Sequence, residues 1–261
     1  MNRYRVFLKL GGSLITDKSR PRTARPEVIQ RLAEEIAAAR SNAPGLRLVL
    51  GHGSGSFGHI EAKKYGTAGG VKTAGDWAGF AAVWAAADAL NRLVMDALAG
   101  AGVPAVRIAP SSGAVLENGQ LKEMPPEPVR LALDAGLVPV VYGDAVFDRT
   151  RGGGIVSTEM VFSALAPALH PRRILLAGIE RGVFADYPAR QTLLRRIRTA
   201  EWETLRRNLE GSEHTDVTGG MCSKVHSMLT LVGGQGDLEA LVFSGAEEGN
   251  VRRALLGEDA G

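Results

Sequence analysis

The sequence repeats one local arrangement, in which a short apolar run ends at a glycine-rich turn and a helical pattern follows. This alternation predicts an α/β fold, with a mainly parallel sheet and helices on both faces. Strands are predicted over residues 6–10, 46–50, 104–108, 137–142, 173–177 and 238–243. Helices are predicted over residues 26–40, 76–98, 127–134, 158–169, 199–209, 221–231 and 249–256. Hairpins are predicted over residues 116–122 and 146–156.

Some element boundaries are also predicted. Residues 51–59 are expected to form a loop, followed by a short helix over residues 60–65 that ends near Gly66. Asp76 is expected to be the N-cap of the long alanine-rich helix. Residues 182–188 are expected to form a loop.

Glycine-rich turns adjoin four of these elements, at Gly11, Gly53, Gly143 and Gly219. Ligands of open α/β sheets bind at the carboxyl ends of the strands. The richest turn is Gly-His-Gly-Ser-Gly-Ser-Phe-Gly-His, residues 51–59. A strand, a glycine turn and a helix N-terminus together present N–H donors to a phosphate, so we predict an anion site at this turn.

The same turn matches the dinucleotide fingerprint at Gly53, Gly55 and Gly58. That fingerprint requires a long following helix and an acidic residue that closes the next strand, and here the predicted helix is short. Nicotinamide binding is therefore disfavoured. The sequence has no Walker A pattern, no protein-kinase His-Arg-Asp or Asp-Phe-Gly, and no Gly-x-Ser-x-Gly nucleophile elbow.

Lysines and carboxylates stand beside these turns. Lys9 lies in an apolar strand, where an ammonium costs free energy unless it meets an anion at the end of the strand. Together with Lys18 and Lys224 it would supply the converging positive charge that phosphoryl transfer requires. Asp144 and Glu159 have two interpretations: they cap or face solvent, or they orient the lysines or hold magnesium.

The histidines have competing interpretations. His59 either supports the turn or donates a ring N–H to a phosphate of the acceptor. His52 is either a second donor or a support for the loop. The five histidines show no His-x3-His or His-Glu-x-x-His spacing, so no metal site made by protein ligands is predicted.

Composition excludes several classes of protein. The net charge is only +3 over 261 residues, which disfavours nucleic-acid binding and suits a protein that handles phosphorylated small molecules. The single cysteine, Cys222, excludes internal disulfides and is expected to be inert within a helix. A strand begins almost at the N-terminus, and no apolar run reaches transmembrane length. We expect a cytoplasmic protein that does not bind membranes.

Four motifs together resemble the amino-acid kinase superfamily, and within it the isopentenyl phosphate kinases. They are Lys9-Leu10-Gly11-Gly12-Ser13 with Thr16-Asp17-Lys18, His52-x-x-Gly55-Ser56-Phe57-Gly58-His59, Tyr142-Gly143-Asp144, and Val217-Thr218-Gly219-Gly220-Met221-x-x-Lys224. The resemblance spans nearly the whole chain, and the Ser-Phe-Gly-His turn is its most specific part.

The resemblance implies an ATP-dependent kinase that converts isopentenyl phosphate to the diphosphate with Mg²⁺. It implies a single α/β/α sandwich over residues 1–261, paired as a homodimer, with an acceptor-binding part over about 1–170 and a nucleotide-binding part over about 171–261. The implied catalytic residues are Lys9, Lys18, His59, Asp144 and Lys224. The implied nucleotide-binding residues are Lys9, Gly11, Gly12, Ser13, Gly55, Gly182, Gly219, Gly220 and Lys224. The implied acceptor-binding residues are Ser54, Gly55, His59, Gly143 and Gly154.

The sequence differs from the family pattern at three places. Ser54 stands where the family usually has glycine, Ser157-Thr158-Glu159-Met160 replaces Ser-Gly-Asp-Asp, and Arg181-Gly182-Val183 replaces Asp-Gly-Val. Two other functions stay open: a related kinase of a small phosphonate such as fosfomycin, and a non-catalytic nucleotide or phosphate sensor. The presence of all three lysines argues against the sensor. The expected apolar wall for the acceptor tail is Phe80, Val83 and Trp84.

Overall fold

The structure is a computed structural model that describes residues 4–186, 189–209 and 220–260. Its strands are β1 (Tyr4–Leu10), β2 (Leu46–His52), β3 (Ala105–Arg107), β4 (Val115–Glu117), β5 (Gln120–Glu123), β6 (Val138–Tyr142), β7 (Asp144–Asp148), β8 (Gly152–Val156), β9 (Arg173–Gly178), β10 (Val183–Phe184), β11 (Leu193–Leu194) and β12 (Glu239–Ser244). Its α-helices are α1 (Gly12–Ile15), α2 (Pro26–Asn42), α3 (Gly55–Tyr65), α4 (Ala74–Gly100), α5 (Glu127–Asp134), α6 (Thr158–Leu169), α7 (Trp202–Leu209), α8 (Gly220–Gly234) and α9 (Asn250–Leu256).

The central sheet has the strand order β12-β9-β1-β2-β6-β3, and all its strand pairs are parallel. Successive side chains of a strand point to opposite faces of the sheet. In β1, Val6 and Leu8 therefore join a core with α2, α4 and α9, whereas Phe7 joins a second core with α5 and α6. Two apolar cores on opposite faces of one parallel sheet confirm the predicted α/β/α sandwich.

A second sheet lies beside the central one, in the order β5-β4-β7-β8. It contains both predicted hairpins, β4–β5 and β7–β8. The first turns at Asn118 and Gly119, which have φ values of 52° and 78°. Two positive φ angles are what a two-residue type I′ hairpin turn requires, and the Asn-Gly pair tolerates them.

Three predicted boundaries are wrong. Helix α3 begins at Gly55 instead of residue 60, because Phe57 packs into the core and this tertiary contact outweighs the low helix propensity of glycine. Helix α4 is capped by Thr73, and Asp76 is the reciprocal member of its capping box. Within the expected loop over residues 182–188, Val183–Phe184 forms β10, which pairs with β11.

The helices predicted over residues 127–134 and 158–169 match α5 and α6. Among the described residues, no helix is long and apolar enough to cross a membrane.

Candidate active site

A cavity of about 490 Å³ opens at the carboxyl edge of the central sheet, where the turns after β1, β2, β6 and β9 meet. Loops at this edge are the usual ligand site of parallel α/β sheets. The residues around it that the sequence singled out are Lys9, Gly11, Gly12, Ser13, Lys18, Ser54, Gly58, His59, Gly143, Asp144, Glu159 and Lys224. The structure thus brings the three predicted lysines and His59 into one space.

Lys9 and Glu159 form an ion pair in the wall of this cavity. Strand alternation turns Lys9 toward α6, whose first turn carries Glu159, and both residues are less than a tenth exposed. Burial alone would raise the pKa of Glu159, but attraction to Lys9 and Lys224 outweighs it and lowers the pKa. Glu159 is therefore ionised at neutral pH and holds Lys9 in place. The sequence alone left this role open.

The turns after β1 and β2 are packed directly against each other. A Cβ on Gly12 would lie 2.5 Å from the backbone N of Gly55, and a Cβ on Gly53 would lie 2.9 Å from that of Gly12. Gly55 also has a φ of 49°, and a Cβ there would lie 2.1 Å from Thr16 Oγ1. These glycines are required by close approach, which explains why both turns need residues without side chains.

Several backbone N–H groups predicted to face a ligand are used within the fold. Gly11 N donates to Ala177 O at 2.8 Å, which corrects its predicted role as an N–H donor to the nucleotide. Phe57 N and Gly58 N both donate to Ser54 O. Phe57 and Gly58 bond in this way because α3 begins five residues earlier than predicted, and the N–H groups of its first turn bond to Ser54, the residue before the helix.

The predicted donors Gly12 and Ser13 lie in the first turn of α1. The N–H groups of a first helical turn have no acceptor within the helix, so these two remain suited to bind a ligand. Ser54, in the place of the usual glycine, is accommodated at Gly58. A Cβ at residue 58 would lie 2.5 Å from Ser54 Oγ, so glycine there leaves room for the serine side chain.

The apolar part of the cavity differs from the prediction. Its wall contains Ala62, Ala68, Ala87 and Ile155. The predicted wall residues Phe80 and Val83 do not line the cavity but pack in a cluster with Ala62, Val71 and Ala145, and Trp84 is 41% exposed. A helix has several faces, and only tertiary packing decides which one borders a cavity.

His52 supports the loop and is not a ligand donor at the cavity. It is fully buried, stacks on Tyr142 with 5.4 Å between ring centroids, and its Nδ1 lies 3.2 Å from Gly53 O. Because a carbonyl only accepts, Nδ1 carries the hydrogen and Nε2 accepts from Asn91 Nδ2 at 3.0 Å. Burial lowers the pKa of His52 to about 4, so the ring is neutral at pH 7.

Asp144 lies at the cavity with its carboxylate bonded to the backbone. Its Oδ2 accepts from Ser111 N at 3.0 Å and its Oδ1 from Ala145 N at 2.9 Å. Burial raises the pKa of Asp144, and these hydrogen bonds offset part of that rise. The side chain therefore anchors the turn before β4, and its catalytic role stays a prediction.

Other predicted residues lie elsewhere. Gly154 and Gly182 are not in the cavity wall; a Cβ on either would lie 2.9 Å from a leucine methyl, that of Leu116 or Leu193. Gly220 begins α8, and Gly219 lies outside the described residues. Gly55 does not line the cavity either; it allows the turns after β1 and β2 to pack closely against each other.

Sequence reasoning missed part of the wall. The wall residues that it did not single out include Leu14, Gly178, Ile179, Glu180, Ser223, Ser227 and Val242. One available signal was helical spacing, since Ser227 follows Lys224 by three residues and shares its face of α8. Another was the position of Gly178 at the carboxyl end of β9.

The sequence pattern of the amino acid kinase family matches residues 4–244 of this chain. The chain belongs to the amino acid kinase family. Isopentenyl phosphate kinase of Methanothermobacter thermautotrophicus is 33% identical over 260 residues, which cover 97% of this chain and 96% of that protein. The corresponding enzyme of Methanocaldococcus jannaschii is also 33% identical, over 98% of this chain and 96% of its own length.

A solved isopentenyl phosphate kinase structure superimposes on this amino acid kinase fold with a TM-score of 0.82, at 31% identity and 98% coverage of both chains. The comparisons confirm the resemblance read from the motifs, including its extent over almost the whole chain.

The Lys9–Glu159 pair leads to a prediction about stability. Glu159→Gln is expected to lower the free energy of unfolding by on the order of 3 kcal/mol, because it leaves a buried ammonium without its counter-charge. Chemical denaturation without nucleotide measures this. The double variant Lys9→Met/Glu159→Gln is the control and should regain most of the loss. A double variant that is less stable than Glu159→Gln would contradict the assigned pairing.

Proposed function

We propose that this chain catalyses the ATP-dependent phosphorylation of isopentenyl phosphate. The observation that carries the proposal is one cavity that combines three lysines, a histidine and an alanine-rich wall. In the reaction, an oxygen of the acceptor phosphate attacks the γ-phosphorus of ATP. The bond from that phosphorus to the β–γ bridging oxygen breaks, and ADP and isopentenyl diphosphate leave.

The residues divide into two groups in this proposal. Lys9 and Lys224 bind the phosphates of ATP, and Lys18 stabilises the phosphoryl group in transfer. Gly12 and Ser13 donate N–H groups to the nucleotide. On the acceptor side, His59 and the turn at Ser54 and Gly143 bind the monophosphate while one of its oxygens attacks. Two anions must approach closely, so fixed donors and positive charge must offset their repulsion.

The residues that line the cavity come from both halves of the chain. We propose that the acceptor is bound by residues before about 170, with Ala62 and Ala87 beside its tail. The nucleotide is bound mainly by residues from about 171, apart from the phosphate contacts of Lys9, Gly12 and Ser13. Ile179, Met221 and Val242 are the apolar side chains that this later part of the chain contributes to the cavity.

Mg²⁺ fits this site as a complex with ATP. Within residues 4–186, 189–209 and 220–260, no group of three or more His, Cys, Asp or Glu side chains could hold a metal ion. Mg²⁺ is commonly bound through substrate phosphates with one or two carboxylates. The lysines and N–H groups here suit the phosphates of the nucleotide, so the metal would arrive bound to those phosphates and would neutralise part of their charge.

Turnover with a panel of acceptors tests the proposed function. Purified protein is supplied with ATP, Mg²⁺ and either isopentenyl phosphate, isopentenol or fosfomycin. We expect the highest kcat/KM with isopentenyl phosphate, because the acceptor end offers both phosphate donors and apolar alanines. Faster turnover of fosfomycin would favour a phosphonate kinase. Tight ATP binding by calorimetry without turnover of any acceptor would favour a sensor.

We also propose that the protein is a homodimer, as the family resemblance implies. The face formed by α4 and β7 exposes Trp77, Trp84 and Phe147, which are 39%, 41% and 55% exposed. Clustered exposed aromatic side chains are typical of a protein interface. We expect light scattering to give twice the mass of one chain, and Phe147→Glu to give a monomer. Leu131→Glu is the control and should remain a dimer, because Leu131 is an exposed apolar residue, 58% exposed, on α5 and not on this face. A monomeric wild type over a broad concentration range would reject the proposal.

A further inference from the structure

Lys18 lies on a short excursion of the chain between α1 and α2. We call residues 17–23 the Lys18 loop. An isolated antiparallel bridge between Thr16 and Ala24 closes it, and Asp17 N donates to Thr23 O at 2.9 Å. Residues 18–22 are exposed to solvent. The loop therefore has little core packing of its own, and its position depends on contacts at its base.

Those contacts converge on Ser56, in the first turn of α3. Ser56 Oγ accepts from Thr23 N at 3.2 Å and donates to Thr23 O at 3.3 Å. Ser56 N donates to Thr16 Oγ1 at 3.0 Å, and Ser56 O accepts from Arg22 N at 3.2 Å. One residue that is only 1% exposed thus makes four hydrogen bonds to the loop and the residue before it.

A second contact joins the loop to α3 at the surface. Arg22 has a left-handed φ of 47°, unusual for a non-glycine residue, and its guanidinium lies 3.1 Å from Glu61 Oε1. The Arg22 side chain is half exposed. Exposed ion pairs contribute little to stability, whereas the loss of a partner from a buried donor or acceptor costs more free energy. The buried bonds of Ser56 therefore dominate the attachment.

We propose that Ser56 is a positioning residue for catalysis, which fastens the Lys18 loop to the helix that carries the acceptor-binding residues. Gly58 and His59 lie on the same helix within three residues of Ser56 and border the cavity. The loop that carries Lys18 and the acceptor site are thereby parts of one unit. The inference rests on the role proposed for Lys18, because Ser56 acts on the reaction only through that lysine.

Ser56→Ala removes the two side-chain hydrogen bonds to Thr23 and keeps the helix. We expect kcat to fall by about 10-fold or more, since small displacements of a catalytic group cost up to about 10²-fold. The dissociation constant of ATP should stay close to wild type. The melting temperature should fall only slightly, because Thr23 is half-buried and water can replace the lost bonds. Ser19→Ala is the matched control, because its hydroxyl bonds only to Asp17 within the loop. An unchanged kcat would overturn the proposal. A variant that loses ATP affinity and melting temperature as strongly as kcat would also overturn it, because the loss would then reflect general damage to the structure.

A double-mutant cycle shows whether Ser56 acts through Lys18. If it does, Ser56→Ala should have little further effect on kcat in a Lys18→Ala background, because the two changes remove the same interaction. Additive losses would overturn the proposal.

Hydrogen–deuterium exchange provides a readout that does not depend on activity. Peptides that cover residues 16–25 should exchange faster in Ser56→Ala than in wild type or Ser19→Ala, with exchange in α2 unchanged. Equal exchange rates would overturn the proposal whatever the kinetics. Full activity of Lys18→Ala alongside faster exchange would instead refute the catalytic role of Lys18 and leave the attachment of the loop intact.

Discussion

Replacing Lys18 or Lys224 by alanine is expected to lower kcat by about 10²–10³-fold, because each removes positive charge from the phosphoryl group or its leaving phosphates in the transition state. The free energy of unfolding should change far less. Lys18 is exposed and Lys224 half-buried, and substitutions at such positions usually change stability by about 0.5 kcal/mol or less. Steady-state kinetics and chemical denaturation of the same preparations separate the two effects.

The two lysines should differ in how they affect binding. Lys224→Ala is expected to weaken ATP binding as well as kcat, because the proposed role of Lys224 is to bind nucleotide phosphates in the ground state. Lys18→Ala should affect kcat alone, since its proposed role is to stabilise the group in transfer. Lys122→Ala is the control, as its ammonium lies on β5 and bonds to Gln120. Wild-type rates in both cavity variants would remove these lysines from the mechanism.

His59→Ala is expected to lose most of the activity, through kcat, acceptor affinity or both. The reason is the acceptor: a monophosphate must be held by donors while one of its oxygens approaches a second anion. His59→Gln keeps an N–H donor and should retain part of the activity. ATP affinity measured by calorimetry should barely change in either variant, because His59 borders the cavity and is proposed to bind the acceptor.

A matched control for His59 is His170, which follows the C-terminus of α6. Helix α6 begins at the cavity with Glu159 and runs away from it, so His170 lies about 16 Å along the helix axis from that residue. His170→Asn suits the left-handed backbone at this position and should keep wild-type kinetics. If His59→Ala weakened ATP binding but left acceptor binding and turnover intact, the acceptor assignment would be wrong.

The sequence was sufficient for the order of the main strands and helices and for the edge of the sheet that holds the site, but it did not predict α1, β10 or β11. Alternation of apolar runs and helical patterns is a local property, so β1, β6, β9 and the helices α5 and α6 were predictable within a few residues. Parallel strands share a carboxyl edge, and glycine turns at that edge predicted a phosphate site. Lys9 was identifiable because an ammonium within an apolar strand requires an anion.

Tertiary structure alone decided which groups face the cavity. The partner of Lys9 is Glu159, 150 residues away, and no local pattern reports such a contact. Helix α4 borders the site with Ala87 and not with Phe80 or Trp84, because the packing of that helix against its neighbours sets its rotation. The start of α3 at Gly55 arises in the same way: burial of Phe57 stabilises a helical turn that glycine-rich sequence disfavours, and it turns Ser56 toward the Lys18 loop.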